Sequence, residues 1–451
     1  MPYTVSYLLF LLILLFALFG LILVMFFYKV LLHLRRGEEE KKRQELLSAL
    51  LNFLSEGTEF ALSPKQYPLL AEILTAELAF LGGEERERLL DFLKAKGFYS
   101  YLLEEIEKRK GVRFLRALRV FSSFGSREDL GFLLTLMERK GEKYFPDLAV
   151  AFLRLLNTIE MENKGSFLAA FLDMLLKRLS LFSFALRREV QFLLTGLKEE
   201  AAAVVMERVQ RMLLTSPPEL LSFSLDLLGK RSREKGSAQR EIDQLLFLLD
   251  VLGEIALPEG EFLAKKLLTH PEAEVRARAC RLAAAVGSAG AFCVADGRER
   301  ECLAPAYLVS CLKDPAPAVR VRCAHALAVL QIEEALPHLA SALADRVYYV
   351  RDAAMRALYA YRWRAFPYLW QVVKEGKDPF ARDKALECFQ LYDNFLLLVE
   401  GSRGLNHLDP CFCREILAVL EAEAGEVFKR RLAELAPTFP PEGESYYAVV
   451  H

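Results

Sequence analysis

From about Glu38 to Leu435, apolar residues return at every third or fourth position, as in "RKGVRFLRALRVFSSFG" and "FLAAFLDMLLKRLSLF". That period lines one face of an α-helix. The segments run about 10–16 residues before Pro, Gly or Asp interrupts them, which predicts short helices joined by tight turns. No run alternates apolar and polar positions as a half-buried strand does.

A different pattern precedes them. Between Met1 and Tyr28 there is no charged side chain, and "YLLFLLILLFALFGLILVMFFY" is interrupted only by Gly20. As a helix this segment is roughly 40 Å long, against about 30 Å of hydrocarbon in a bilayer, so it reads as a transmembrane anchor. Tyr3, Tyr7 and Tyr28 sit near its ends, where aromatic anchors are favoured. A basic leader and a small-x-small cleavage site are both missing, which argues against a removed signal peptide. Lys29, Arg35, Arg36, Lys41, Lys42 and Arg43 follow the span and no basic residue precedes it. The charge asymmetry places the N-terminus outside a cell membrane and the rest in the cytoplasm, with lipid touched through residues 1–34.

The helical part repeats. "HPEAEVRARACRLAAAV" from His270, "DPAPAVRVRCAHALAVL" from Asp314 and "DRVYYVRDAAMRALYAY" from Asp345 all place Val-Arg five and six residues after their first position. The pairs are Val275-Arg276, Val319-Arg320 and Val350-Arg351. A shorter copy, "DPFARDKALECFQLY", puts Arg382 at the same place, and the successive Arg steps are 44, 31 and 31 residues. The intervening helices repeat as well, with Leu308, Leu339 and Leu369 each a few residues after Pro305, Pro337 and Pro367. Proline suits a first helical turn, where its missing N–H costs nothing.

These residues resemble HEAT repeats, in particular the short HEAT-like kind also found in phycobilisome lyases. The likeness is specific over Glu261–Leu391, and weaker echoes near Val112, Phe145, Leu186 and Ser216 extend it backwards. It implies an all-α fold, a HEAT-like α-α superhelix, which would follow the N-terminal transmembrane helix read from the apolar run. The expected division is 1–34 anchor, 35–60 charged juxtamembrane helix, 61–258 degenerate helical repeats, 259–395 HEAT-like repeats, 396–435 capping helices and 436–451 Pro-rich tail. The resemblance also implies a structural ladder between neighbouring repeats, formed by the turn residues Asp314 and Asp345 with Arg276, Arg320, Arg351 and Arg382. Charge-assisted hydrogen bonding to a partly buried turn is a physical reason for those residue types at fixed spacing.

Composition narrows the function. The chain has 451 residues, 53% of them hydrophobic, and 59 basic residues against 60 acidic for a net charge of −1. No basic stripe invites nucleic acid. Phosphate-binding loops, zincin motifs and nucleophile elbows are absent, as are the His-Glu dipeptides of the HEAT-type deoxyhypusine hydroxylases, so no catalytic residue, cofactor or metal is assigned. Cys293 and Cys302 in the "GSAGAFCVADGRERECLAP" insertion match no familiar ligand spacing, and Cys411 and Cys413 beside His407, a Cys-x-Cys that can bind metal, lack an evident fourth ligand. "KRSREKGSAQRE" at Lys230–Glu241 reads as a charged loop. Both tryptophans fall within "YAYRWRAFPYLW", an aromatic-plus-Arg composition favoured at binding hot spots. His338, Tyr368, Trp370 and Gln371 are the candidate partner-binding residues, expected on concave helices. The leading expectation is a membrane-anchored scaffold, not an enzyme, that binds membrane-associated proteins such as an envelope glycosyltransferase. An enzyme on the same scaffold, a bilin lyase or a base glycosylase, and a self-assembling structural membrane protein stay open beside it.

Overall fold

The computed structural model describes residues 25, 38, 40–77, 83–108, 110–215, 232–287 and 305–435, and all regular structure among them is helical. The described residues fall into two compact units, drawn from Met1–Glu162 with Leu181–Leu186 and from Asn163–Ser180 with Arg187–His451.

In the first unit the helices are α1 (40–56), α2 (Tyr67–Glu77), α3 (Gly83–Ala95), α4 (Phe98–Lys108), α5 (Val112–Phe124), α6 (Arg127–Arg139) and α7 (Phe145–Thr158). α5 packs on α2, α4 and α7, and α6 packs on α7. Phe98, Phe114, Phe121, Phe145 and Phe152 are fully buried between them. α6 opens with a capping box in which the Ser126 N–H and hydroxyl both donate to Asp129. The Tyr99 hydroxyl donates to the same carboxylate, and burial together with Asp129 pushes its phenol up.

The second unit begins with α8 (Lys164–Lys177), α9 (Phe184–Thr195), whose first residues belong to the first unit's segment, α10 (Lys198–Thr215) and α11 (Ser232–Ile255). Four helix pairs follow: α12 (Glu261–Leu267) with α13 (Ala273–Val286), α14 (Pro305–Cys311) with α15 (Pro317–Leu330), α16 (Leu336–Ala342) with α17 (Tyr348–Ala360), and α18 (Phe366–Glu375) with α19 (Pro379–Gln390). α20 (Tyr392–Ser402) and α21 (Pro410–Leu435) close the unit. The pairs make two layers. The Val-Arg helices α13, α15, α17 and α19 stack on one another, and the partner helices lie on their other side. The Val-Arg row is the more closely packed of the two. Pro337 and Pro367 stand in the first turns of α16 and α18, where their fixed φ and missing donor are tolerated.

α11 starts at Ser232, so most of the Lys230–Glu241 stretch is helical rather than a loop. At its described end, Gln239 Nε2 donates to Asp243 Oδ1 at 3.1 Å, an i,i+4 contact along the helix.

The placement in a membrane is corrected. Among the described residues no helix is long and apolar enough to cross a bilayer. The two longest, α11 with 24 residues and α21 with 26, carry charges throughout, among them Arg240, Asp243 and Asp250 in the first and Arg414, Glu421 and Arg430 in the second. Their apolar residues face the packed interior rather than all round, as in Leu245, Leu248 and Leu252 or Ile416 and Leu420. The single-pass arrangement with an outside N-terminus and a cytoplasmic solenoid is therefore withdrawn. The expected span, residues 1–34, lies outside the described residues apart from Met25, as do the tail 436–451 and Cys293 and Cys302 of the insertion.

α20 and α21 approach so closely that a Cβ on Gly401 would stand 2.5 Å from Cys413 Sγ and 3.1 Å from Asn406 Oδ1. Cys413 is fully buried. Gly401→Ala is expected to lower stability by about 1–3 kcal/mol through overpacking. Thermal denaturation checks it, and an unchanged midpoint would show that the contact relaxes freely.

Candidate partner-binding surface

The turns leading into α15 and α17 are tied in the same way. Asp314 Oδ1 accepts from the Ala316 N–H at 2.8 Å, and Asp345 Oδ1 accepts from the Val347 N–H at 2.9 Å. Six residues on, the arginine folds back on its own turn: Arg320 Nη1 donates to Asp314 O, and Arg351 Nη1 donates to Asp345 O, both at 2.8 Å. Arg276 and Arg320 also reach forward to the next turn. Arg276 Nε and Nη2 donate to Asp314 at 2.7 and 2.9 Å, and Arg320 Nε and Nη2 donate to Asp345 at 2.7 and 2.8 Å. These are two-bond, charge-assisted contacts in largely buried positions. Burial opposes ionisation of Asp345, and hydrogen bonds from Arg320 and Val347 outweigh it, holding the carboxyl below its ordinary range. The bond to Asp314 raises the Arg276 guanidinium further.

His270 stands where the other turns have Asp. Its Nδ1 accepts from the Glu272 N–H at 3.1 Å, which does the turn-holding work of an Asp without a charge. The residue is 5% exposed, Nε2 has no hydrogen-bond partner among the described residues, and Arg276 Nη1 donates to the His270 carbonyl. Burial, with the nearby Arg276 cation adding to it, pushes the imidazole below 6.5. A base with a depressed folded pKa leaves the unfolded chain binding more protons, so stability is full above about pH 6.5 and declines as pH falls below it. His270→Asn is expected to flatten the stability profile between about pH 7 and 5. Denaturant midpoints of both proteins across that window test this, and parallel profiles would rule it out.

Of the residues singled out in the sequence, Arg382 pairs with Glu423 at 2.7 Å in α21 instead of a turn carboxylate. His338 is exposed on α16. Tyr368, Trp370 and Gln371 lie on α18, so all four candidates belong to the less closely packed row. Trp370 is buried, edge-on to Phe412 at 6.4 Å, with Lys374 Nζ 5.2 Å from its ring. Gln371 donates to Glu375 at 2.8 Å. Tyr368 and Gln371 line an open hollow of ≈ 420 Å³ with Pro337, Val372 and Ala381, which His338 and Trp370 do not reach. Cys411 is exposed and Cys413 buried, His407 rests against Trp363, and no group of three metal-ligating residues exists among the described residues.

A second hollow, ≈ 570 Å³, lies on the Val-Arg row itself between α15 and α17. Val321, Ala328 and Val329 from one helix and Tyr349, Ala353 and Ala357 from the other form its floor, with Arg322, His325, Asp352 and Arg356 around them. Val329 is 42% and Tyr349 55% exposed, so apolar surface here faces water. The sequence held a signal for it in Ala353, Ala357 and Ala360, small residues on one helical side beside an exposed Tyr. Ala357 is itself buried at the bottom of the hollow, next to the buried stripe through Val350, Ala354 and Leu358.

Residues 305–390 match the family model described as HEAT repeats. No curated protein matches the chain. Among solved structures the chain is similar to Kap121p bound to Pho4p, with 15% identity and a TM-score of 0.50, over 88% of this chain and 44% of that one. It is also similar to the karyopherin Kap121p bound to the SUMO protease Ulp1p, at 16% identity and TM-score 0.48 over 87% and 43% of the two chains. A third similar structure is the Pds5-Scc1 complex, at 14% identity and TM-score 0.34 over 86% and 71%. The chain spans less than half the length of the Kap121p chains it matches. The repeat match and the first likeness show an all-α protein with HEAT-type repeats and a HEAT-like solenoid fold. They carry HEAT repeats in general and not the phycobilisome-lyase kind.

Proposed function

We propose that the protein is a binding scaffold, without catalytic activity of its own, that holds protein partners on the Val-Arg row of its HEAT repeats. The observation that carries this is the apolar hollow between α15 and α17, open to solvent on the row of longer helices that stack on one another. Stacked repeats rotate slightly from one to the next, and the concave surfaces this creates are long and suited to partners. Exposed apolar floor with a charged rim is the anatomy of such surfaces. Kap121p, of related fold, is itself described in complex with Pho4p and with Ulp1p.

The test places a photo-crosslinking residue at Tyr349 of the full chain in its own cells, with a control at exposed Glu199. A discrete crosslinked protein from position 349, lost when Ala353→Trp fills the hollow, is the expected result. Equal yield from the control position, or crosslinking indifferent to Ala353→Trp in a protein that melts normally, would sink the proposal.

A further inference from the structure

The ladder of arginines stops at α17, and what it leaves behind is specific. Arg276 and Arg320 each use Nε and Nη2 on the carboxylate of the next turn. Arg351 keeps the backward bond to the Asp345 carbonyl, but its Nε has no hydrogen-bond partner and no carboxylate among the described residues pairs with it. The reason is in the following repeat. Six residues before Arg320 and Arg351 stand Asp314 and Asp345, whereas six residues before Arg382 stands Gly376. α18 runs to 10 residues where α16 has 7, so it consumes the turn that would hold the carboxylate. Gly376 closes that longer helix at φ +56, a left-handed conformation that glycine adopts without strain. Asp378 instead caps α19 by accepting from the Ala381 N–H at 2.8 Å.

The Arg351 guanidinium lies 4.8 Å from the Phe380 ring and 5.7 Å from the Tyr348 ring, and these rings are 60% and 61% exposed. The same face runs on to the hollow. Lys384 Nζ sits 5.0 Å from the Tyr348 ring and 3.6 Å from Asp352, and Asp352 accepts from Arg356 at 2.8 Å on the rim. Arg322, exposed on the opposite lip, has no ion-pair partner among the described residues. Two guanidinium groups of this face are thus without a carboxylate among the described residues, Arg322 on the rim of the hollow and Arg351 beyond it, over Tyr348 and Phe380.

Resting on the scaffold reading, we propose that this face recognises a segment of another protein in which carboxylates flank a large apolar side chain. The apolar side chain fills the hollow over Ala353 and Ala357. One carboxylate takes the Arg351 guanidinium beside Tyr348, moving the Phe380 ring aside, and another meets Arg322. Arginine suits this because its planar fork holds a carboxylate by two parallel bonds, and the aromatic neighbours lower the local dielectric around it.

The experiment uses the full chain and a fluorescein-labelled peptide of about twelve residues in which Asp and Glu flank a Leu-Phe pair. Its partner probe has Asn and Gln in place of every acid. Anisotropy is expected to show saturable binding of the acidic peptide that weakens as salt rises from about 50 to about 300 mM. The amide peptide, and Arg351→Gln or Arg322→Gln with the acidic peptide, are each expected to bind about tenfold more weakly. Arg322 makes no internal bond, so its variant tests the idea even if Arg351→Gln disturbs the turn. Equal binding of both peptides, indifference to Arg322→Gln, or no binding of the acidic peptide near millimolar concentration would each overturn the carboxylate requirement. Equal binding abolished by Ala353→Trp would leave the scaffold reading standing. Binding untouched by Ala353→Trp, with no crosslink from Tyr349, would remove that reading as well.

Discussion

Arg320→Ala is expected to lower the stability of the second unit by about 3–5 kcal/mol, the cost of leaving one charge of a buried pair alone. The Arg320 side chain is 7% exposed and that of Asp345 is 13%. Truncation removes both bonds to Asp345 and the bonds to the Asp314 and Pro315 carbonyls, leaving a carboxylate in the interior with the Val347 N–H as its remaining bond. Arg351→Ala is the internal comparison. It removes a carbonyl contact and strands no carboxylate, so about 1 kcal/mol is expected. The chain's two tryptophans, Trp363 and Trp370, both lie in this unit, so urea unfolding followed by their fluorescence reads the right transition. Equal losses for the two variants would mean that the forward bond to the next turn contributes nothing beyond the backward one.

Phe389→Ala is expected to cost a similar amount, about 3–5 kcal/mol, through a different mechanism. The ring is fully buried under α18, 5.3 Å from that of Phe366, which is fully buried too. The loss combines transfer of the side chain with a residual cavity. Repeats are held by their nearest neighbours, so loosening α18 against α19 also uncouples the C-terminal helices from the rest of the stack. The fluorescence transition should broaden or split as well as shift. Phe389→Leu, which keeps most of the volume, should cost under about 1.5 kcal/mol and leave a single transition. A loss below about 1 kcal/mol for the alanine variant would show that the two helices repack around the gap.

Both variants act on features that were visible in the chain to different degrees. The helical periodicity, the Val-Arg repeat and the proline before each partner helix are local properties. They depend on 3.6-residue spacing and on what proline does to one turn, so a sequence displays them directly. The forward reach of each arginine depends on the turn thirty-odd residues later, and there the sequence was less transparent. Arg351 and Arg320 occupy equivalent places in the repeat, and only the extra helical turn of α18 separates their fates. Arg382 likewise looks like a ladder member by spacing and is drawn to Glu423, a residue no repeat alignment would bring to it.

The partner-binding candidates show the same division. Aromatic residues near Trp363 stood out by composition, yet composition does not say which side of a helix is covered. Trp370 is covered by Phe412, from a helix far along the chain. The alanines of α17 drew no notice because they are unremarkable singly, and become a floor only when α15 lies alongside. A hydrophobic run at the N-terminus argued for a membrane, and the described helices do not include a span. Helical periodicity and the spacing of the Val-Arg repeat were legible in the chain itself, because those follow from side-chain pattern within a few turns. Tertiary structure decided which charges are paired, which rings are buried and where apolar surface stays open, because each of those is a relation between residues that only the stacking of neighbouring repeats brings together.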